Sequence, residues 1–168
     1  MKLTVREVAV FSMLGALMFA SKLVMEVLPN IHILGVLVMA ITIVYRAKAL
    51  YPIYLYVIMN GLYAGFNVWW IPYLYIWTIL WGVTMLLPKK MPRVVAPIVY
   101  ALVCGIHGFF FGILYAPAQA IMFGYDWRTM LVWIVSGIPF DLIHGVSNLV
   151  LASLIIPITK AIRMADRR

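Results

Sequence analysis

Three polar residues near the C-terminal end of the chain are spaced so that they share one face of a helix. Asp141, His144 and Asn148 follow an i, i+3, i+7 pattern inside a long apolar stretch. A charged side chain inside a bilayer costs roughly 2.5–3.5 kcal/mol on insertion scales, so these residues are functional candidates. Two interpretations stay open: Asp141 and His144 hydrogen-bond each other or neighbouring helices, or the stripe binds a heterocyclic or carboxylate-bearing solute.

Lys22 and Glu26 form a second polar pair, four residues apart on one face of the first apolar stretch. The first interpretation is an internal ion pair that is neutralised and packed. The second is that one of the two side chains meets a polar ligand beneath the loop that carries Asn30 and His32. The sequence leaves both open.

Two further pairs consist of amides and a histidine. Asn60 and Asn67 are seven residues apart, and hydrogen bonding between helices is the simpler role for them. His107 lies in the fifth apolar stretch and Gln119 follows it. Either the two residues line one cavity, or His107 is only a structural hydrogen-bonding group.

Aromatic residues cluster around two predicted loops, 66–72 and 119–128. A belt of Trp and Tyr at the lipid headgroups accounts for such rings without any ligand. The alternative is an aromatic-lined mouth for a small molecule, because solute pockets have mostly apolar walls with a few polar groups. The clustered rings are Trp69, Trp70, Tyr73, Tyr75, Tyr125 and Trp127.

None of these residues forms a recognisable catalytic or metal-binding motif. His32, His107 and His144 lie in three segments without paired ligand spacing such as HExxH. The chain has no Walker-type phosphate loop, and its single cysteine, Cys104, lies in an apolar run. We therefore expect no enzyme activity of its own, no metal and no cofactor, and any uphill transport would need energy from a partner or an ion gradient.

The elements that must position these residues are transmembrane helices. Of 168 residues, 66% are hydrophobic and 11% charged, with a mean hydropathy of +1.06. A soluble domain carries roughly 25% charged residues, and a spanning helix needs about 20 apolar ones. The sequence predicts a single all-α transmembrane domain over residues 1–168, a bundle of six helices. The predicted spans are near 5–28, 33–45, 48–66, 69–87, 94–118 and 129–159.

The basic residues predict the orientation of these spans. With six spans, Arg128 lies on one side and Lys22 within span one, and the other 11 of the 13 basic residues share the opposite side. The positive-inside rule then puts both termini in the cytoplasm, and the protein in the cell membrane in contact with lipid. The net charge of +8 comes from small groups between apolar runs, which argues against a nucleic-acid surface. The 11 residues are Lys2, Arg6, Arg46, Lys48, Lys89, Lys90, Arg93, Lys160, Arg163, Arg167 and Arg168.

Small residues recur every fourth position on the first span, at Ser12, Ala16 and Ala20. This spacing lets another helix approach closely, either within the bundle or from a partner. With the Ala16–Ala20 motif, the stretches LPNIHILGVL, ALYPIYLYVIMNGLYAGFNVWWIPYLYIWT and GIPFDLIHGVSN make the whole chain resemble the substrate-binding S-component of an energy-coupling factor (ECF) vitamin transporter.

The resemblance implies a function and partners. It implies that Ala16 and Ala20 face a transmembrane T-component driven by two ATPase subunits, and that a small vitamin-like solute binds on the outer side. The alternatives are a stand-alone membrane carrier or channel, a membrane-embedded enzyme, and a structural membrane subunit. The residues expected to contact the solute come from the polar and aromatic patterns: Lys22, Glu26, Asn67, Trp70, Tyr73, Trp77, His107, Gln119, Asp141, His144 and Asn148.

Overall fold

The computed structural model describes residues 3–166, and within them the chain is helical with no β-strand. This confirms the predicted all-α class. Short 3₁₀ turns at Arg46–Ala49, Val68–Trp70 and Ala152–Leu154 join some of the helices. The α-helices are α1 (Val5–Met25), α2 (Leu34–Tyr45), α3 (Leu50–Ala64), α4 (Tyr73–Leu86), α5 (Val95–Phe109), α6 (Phe111–Phe123), α7 (Trp127–Leu151) and α8 (Ile155–Asp166).

Five helical segments of the described chain are long and apolar enough to cross a membrane, as expected of a membrane protein. Three of them each contain two α-helices, since they join α2 to α3, α5 to α6 and α7 to α8; the eight α-helices of the described chain therefore give five segments. The segments are Val5–Met25, Leu34–Ala64, Val68–Leu86, Val95–Phe123 and Trp127–Asp166.

Helix α2 lies at the centre of the bundle. Every residue from Leu34 to Thr42 is buried, as expected for a helix that is apolar on all sides. It packs against α4, α8 and α5, and more lightly against α1. Its 12 residues give a length of about 18 Å, well short of the roughly 30 Å of a bilayer core. The helix therefore begins inside the protein rather than at a surface.

The chain reverses direction between α2 and α3. The ring of Phe11, early in α1, lies 5.0 Å from that of Tyr45 at the end of α2 and 6.0 Å from that of Tyr51 at the start of α3. Further along α1, the ring of Phe19 lies 5.5 Å from that of Tyr63 near the end of α3. Helices α1 and α3 are thus parallel to each other, and α2 is antiparallel to both.

Glycines allow α5 and α7 to approach each other closely. A Cβ added to Gly108 would lie 2.9 Å from the Cα of Gly145, and one added to Gly105 would lie 2.5 Å from the side chain of Leu149. Small residues at membrane helix interfaces allow this backbone contact, which brings van der Waals attraction over a long surface. The contact sets the register between α5 and α7.

The last two predicted spans differ in detail from the helices. The stretch 94–118 is divided at Phe110 into α5 and α6, and α6 continues to Phe123. The stretch 129–159 is divided into α7 and α8, and Pro139 lies inside α7 without ending it. Pro157 lies in the first turn of α8, where a missing N–H leaves no helical hydrogen bond unmade.

Charged groups hold together the bundle end at which α1 begins. Thr4 caps α1 in a capping box with Glu7, and the carboxylate of Glu7 also pairs with Lys48 just before α3. The guanidinium of Arg6 donates to the main-chain carbonyl of Asp166 at the end of α8. The start of α1, the α2–α3 reversal and the end of α8 therefore lie together.

Candidate functional site

Three histidines from different parts of the chain meet in the interior, together with two aromatic rings. His32 precedes α2, His107 lies near the end of α5 and His144 in the middle of α7. The rings of His32 and His144 are 4.5 Å apart, and Phe111 lies 4.7 Å from His144. We call this group the histidine cluster; its members are His32, Trp77, His107, Phe111 and His144.

Trp77 joins the histidines on the α4 side of the cluster. Its ring lies 5.7 Å from that of His107 and 6.1 Å from that of His32, and only 1% of the side chain is exposed. His107 and His144 are 6% and 3% exposed. The cluster is thus enclosed by α4, α5, α6, α7 and the segment before α2.

Buried polar atoms in the cluster lack hydrogen-bond partners. They are Nδ1 of His32, Nε1 of Trp77, Nδ1 of His107 and Nε2 of His144. Each unsatisfied buried group costs roughly 1–3 kcal/mol, and native proteins have only a few of them. Four such atoms therefore lie on neighbouring rings of the cluster, without a hydrogen-bond partner among the described residues.

The remaining contacts of the cluster orient its rings. Nε2 of His107 lies 3.2 Å from the carbonyl oxygen of Ile76, which assigns the proton to Nε2 and leaves Nδ1 as an acceptor. Nε1 of Trp77 is a donor only. The cluster thus presents both a donor and an acceptor to anything that enters it.

Burial keeps His32 neutral at physiological pH. His32 lies between the first two membrane-spanning segments, and burial, with a smaller contribution from the nearby His107, lowers its pKa from 6.5 to about 4. Its ring therefore carries one N–H donor and one acceptor nitrogen near pH 7.

Two rows of aromatic rings lead from the cluster toward the loop after α3. On α4 and the turn before it, Trp69, Tyr73 and Trp77 follow at four-residue intervals, with ring centroids 5.6 Å and 6.0 Å apart. On the facing wall, Phe111 lies 6.1 Å from His107 and 6.1 Å from Tyr115.

The hydroxyl of Tyr115 donates to the carbonyl oxygen of Trp69 at 2.6 Å, which joins the two walls at their outer end. Beside this bond lies a groove of about 360 Å³, which we call the outer groove. The predicted residues Asn67 and Gln119 both lie on it. Its lining residues are Asn67, Val68, Trp69, Tyr115, Gln119, Phe123 and Trp133.

The predicted stripe of Asp141, His144 and Asn148 faces the interior, but its members have different partners. The carboxylate of Asp141 accepts from the backbone N–H of Gly112 at 3.0 and 3.1 Å, at the start of α6. The N-cap residue of α6 makes no side-chain hydrogen bond to the first turn, so Asp141 of α7 supplies the acceptor for a free N–H there. Of the two interpretations of Asp141, hydrogen bonding to a neighbouring helix is the one that the structure displays.

Asn148 connects the stripe to α5 and α2. Its amide nitrogen donates to the carbonyl oxygen of Cys104 at 3.2 Å, and its buried Oδ1 has no partner. The first turn of α2 lies against it, since a Cβ on Gly35 would be 3.4 Å from the Asn148 amide. No side chain caps this helix start, so the positive end of the α2 dipole points into the interior near the cluster.

Lys22 and Glu26 form an ion pair, but an exposed one rather than the internal, packed pair of the first interpretation. The ammonium of Lys22 lies 2.9 Å from a carboxylate oxygen of Glu26 and 5.7 Å from the centre of the Tyr63 ring. The side chain of Glu26 is 56% exposed. These partners place the pair on the α1–α3 side of the bundle.

Two other predicted residues are involved in loop structure. Nε1 of Trp70 donates to the carbonyl oxygen of Val57 at 2.7 Å. Asn67 lies beyond the end of α3, so it does not share a helix face with Asn60, and its side chain accepts from the N–H of Val68. Asn60 is buried in α3 and donates to the hydroxyl of Tyr56.

The small residues of α1 face away from the bundle. Ser12, Ala16 and Ala20 are exposed, whereas Gly15 on a neighbouring face packs against Leu55 of α3. Packing within the chain therefore uses Gly15 rather than the Ser12–Ala16–Ala20 face. Beside this helix runs an apolar groove of about 560 Å³ between α1, α2 and α8.

Sequence reasoning missed four members of this region. The sequence predicts a loop position for His32, away from the solute contacts, and its patterns do not point to Phe111, Tyr115 or Trp133. The repeated four-residue spacing in Trp69, Tyr73, Trp77 and again in His107, Phe111, Tyr115 was the available signal. Among the described residues, no three His, Cys, Asp or Glu side chains are arranged to hold a metal ion.

Comparison with protein-family models, with curated proteins and with solved structures finds no match to this chain.

Proposed function

We propose that this protein is the solute-binding subunit of a membrane importer of the ECF type, specific for a small vitamin-like solute. The observation that carries the proposal is the histidine cluster, in which four buried ring nitrogens have no hydrogen-bond partner among the described residues. A solute that supplies the missing hydrogen bonds is selected strongly, because an analogue without the matching group leaves these atoms unsatisfied.

The walls suggest the shape of the solute. Aromatic rings run from the outer groove to the cluster in two rows, which contact each other where Trp77 and Phe111 are 6.0 Å apart. These rings favour a flat solute that stacks on them. The uncapped start of α2 and the Nε1 donor of Trp77 favour a carboxylate or carbonyl group at the deep end. The proposed solute is a heterocycle that carries such an acceptor.

The proposed membrane topology has six spans with both termini in the cytoplasm, in the plasma membrane. Its support is the charge bias of the sequence together with the contacts that bring Arg6, Lys48 and the end of α8 to one end of the bundle. The outer groove lies at the other end, so solute enters from outside. The reversal at Arg46 divides Leu34–Ala64 into two antiparallel helices, which raises the number of crossings from five to six.

The proposed partners are a transmembrane T-component and two ATPase subunits. The support is the outward-facing Ser12, Ala16 and Ala20 stripe, which is free to receive a helix of another protein. Within this proposal the chain performs no covalent chemistry. A membrane-embedded enzyme would need an acid–base pair such as Asp141 with His144, and the Asp141 carboxylate accepts a hydrogen bond from the N–H of Gly112 instead.

Solute binding by the purified full-length protein tests the proposal. Thermal shift against a panel of B-vitamins and their heterocyclic precursors should identify a binder, whose affinity is then measured by calorimetry. Trp77→Phe removes an unpartnered donor, and His144→Phe removes an unpartnered nitrogen; each should weaken binding at least tenfold. Trp127→Phe, the same substitution at an exposed position, is the matched control and should change affinity less than twofold.

A panel in which no compound shifts the melting temperature would count against solute binding. Equal losses in Trp77→Phe and Trp127→Phe would place the site elsewhere. Partner assembly is tested separately by co-purification with co-expressed T-component and ATPases. Ala16→Trp should abolish assembly and preserve solute binding, whereas Ile121→Trp, at an exposed position on α6, should assemble normally.

A further inference from the structure

A second pocket lies at the opposite end of the bundle from the outer groove, where the α2–α3 reversal meets the ends of α4 and α8. Its volume is about 250 Å³. Three basic side chains from distant parts of the sequence line it: Arg46, Lys89 and Arg163. We call it the basic pocket. Its other lining residues are Ile43, Val44, Thr84, Leu87, Pro88 and Tyr100.

No carboxylate lines the basic pocket. All five acidic residues of the chain lie within the described part, and each is engaged or located elsewhere. Glu7 pairs with Lys48, Glu26 with Lys22, Asp126 caps α7 and Asp141 binds Gly112, while Asp166 lines the apolar groove beside α1. The positive charges of the pocket therefore have no counter-charge among residues 3–166, and an anion from outside would supply one.

The backbone at Arg46 gives an independent reason to assign a role to its side chain. Arg46 has φ 53° and ψ −122°, a conformation that glycine adopts easily and that side chains rarely adopt. Residues in such conformations persist where the surroundings hold them, and they concentrate at functional sites. Arg46 therefore holds a backbone conformation that glycine would adopt with less strain.

Hydrogen bonds on both sides of Arg46 fix its position. Its guanidinium donates to the carbonyl oxygen of Met85 at 2.5 Å, and its own carbonyl oxygen accepts from Nε1 of Trp81 at 3.1 Å. One bond to Met85 leaves several of the five guanidinium N–H donors available. The donors are held beside the pocket rather than free in solvent.

We propose that the basic pocket binds a phosphate group, and that its source is the headgroup of an anionic phospholipid. Arginine presents donors that match phosphate oxygens, with Lys89 and Arg163 adding positive charge. The walls of the pocket are partly apolar, which suits a lipid headgroup at the edge of a bilayer. The apolar lining residues are Ile43, Val44, Leu87 and Pro88. Basic pockets between membrane helices bind lipid headgroups in this way. The proposal does not depend on which solute the histidine cluster binds.

Native mass spectrometry of the full-length protein, exchanged into detergent with dioleoylphosphatidylglycerol or with dioleoylphosphatidylcholine, tests the proposal. Wild-type protein should retain one phosphatidylglycerol at least tenfold better than phosphatidylcholine. Arg46→Gly should lose this preference without a lower melting temperature, because glycine relieves the backbone. Arg163→Gln and Lys89→Gln should each weaken retention at least threefold.

Lys90→Gln is the matched control, since it removes the same charge from the same loop at a residue that does not line the pocket. It should leave retention within twofold of wild type. Equal retention of the two lipids, or an equal loss in Lys90→Gln and Lys89→Gln, would overturn the site. In a separate arm, inorganic phosphate at up to 100-fold excess should not displace the lipid; displacement at equimolar phosphate would overturn the lipid as its source.

Discussion

The histidine cluster and the basic pocket differ in how their polar groups are left unsatisfied. In the cluster, uncharged ring nitrogens are buried without partners, and aromatic walls surround them. In the basic pocket, permanent charges stay at the bundle end, where Arg46 is half-buried and Lys89 and Arg163 are exposed. Burying a charge without a partner costs far more than burying a neutral polar group. Polar groups that are buried deep in the interior without a partner before a ligand binds must therefore be neutral.

The comparison extends to the polar groups that do have partners. Asp141 and Asn148 also lie in the interior, but each reaches a backbone group of another helix. Such groups support the architecture, whereas unpartnered groups mark the proposed site. The predictions below separate these two kinds of residue.

The largest expected effect is a loss of stability on acidification, through His32. Its pKa is about 4 in the folded protein and 6.5 as a free side chain. The unfolded chain therefore takes up the proton first, and folded stability decreases as the pH falls from 6.5 to 4. A pKa difference of this size corresponds to a loss of about 3 kcal/mol in the free energy of unfolding. As the pH is lowered from 6.5 to 4, the melting temperature of His32→Gln should fall less steeply than that of the wild type. Identical slopes would show that the pKa of His32 is the same in the folded and unfolded protein.

Removal of the Asp141 carboxylate should destabilise the fold by about 2 kcal/mol, because the buried N–H of Gly112 loses its acceptor. Chemical unfolding in detergent micelles measures the change. Asp126→Ala removes a similar carboxylate-to-N–H bond at an exposed helix start, so its effect should be smaller. An effect of Asp126→Ala as large as that of Asp141→Ala would contradict the structural role given to Asp141.

His144→Phe should stabilise the protein without solute by about 1 kcal/mol, because it replaces an unpartnered buried nitrogen with an apolar ring edge. A residue kept for binding often costs stability in this way. His107→Phe is the informative comparison, because it also breaks the contact with Ile76 and should gain less. A lower melting temperature for His144→Phe would indicate that this histidine is structural.

The smallest effect is expected at the Lys22–Glu26 pair. Its partners are 2.9 Å apart, but Glu26 is more than half exposed, and such pairs contribute less than about 1 kcal/mol. Lys22→Met should leave both the melting temperature and solute affinity nearly unchanged. A large loss of affinity would instead restore the other predicted role, in which Lys22 contacts the solute.

Much of the fold follows from local features of the chain. The apolar runs predict helices, the Thr4–Glu7 capping box marks the start of α1, and Gly124 ends α6 in the left-handed conformation. These signals act over a few residues, so they can be read from the sequence. Breaks such as that at Phe110 could not, because the N–H of Gly112 is satisfied by Asp141, which lies 29 residues further along the chain.

The candidate site could be predicted only in part, for the same reason. Trp77, His107, His144 and Asn148 were selected from spacing and polarity, and they do lie in one buried region. His32 lies beside His144 because α2 begins inside the bundle, just after His32. The sequence around His32 does not show this position.

By itself, the sequence determined the helical class, the apolar segments and which polar residues are costly in a membrane, because these properties depend on residue type and local spacing. Only the tertiary structure decided which polar groups have partners. That outcome depends on helix register, which the close contact of Gly108 with Gly145 sets between α5 and α7. The same register gives Asp141 a partner on α6 and leaves Nε2 of His144 without one.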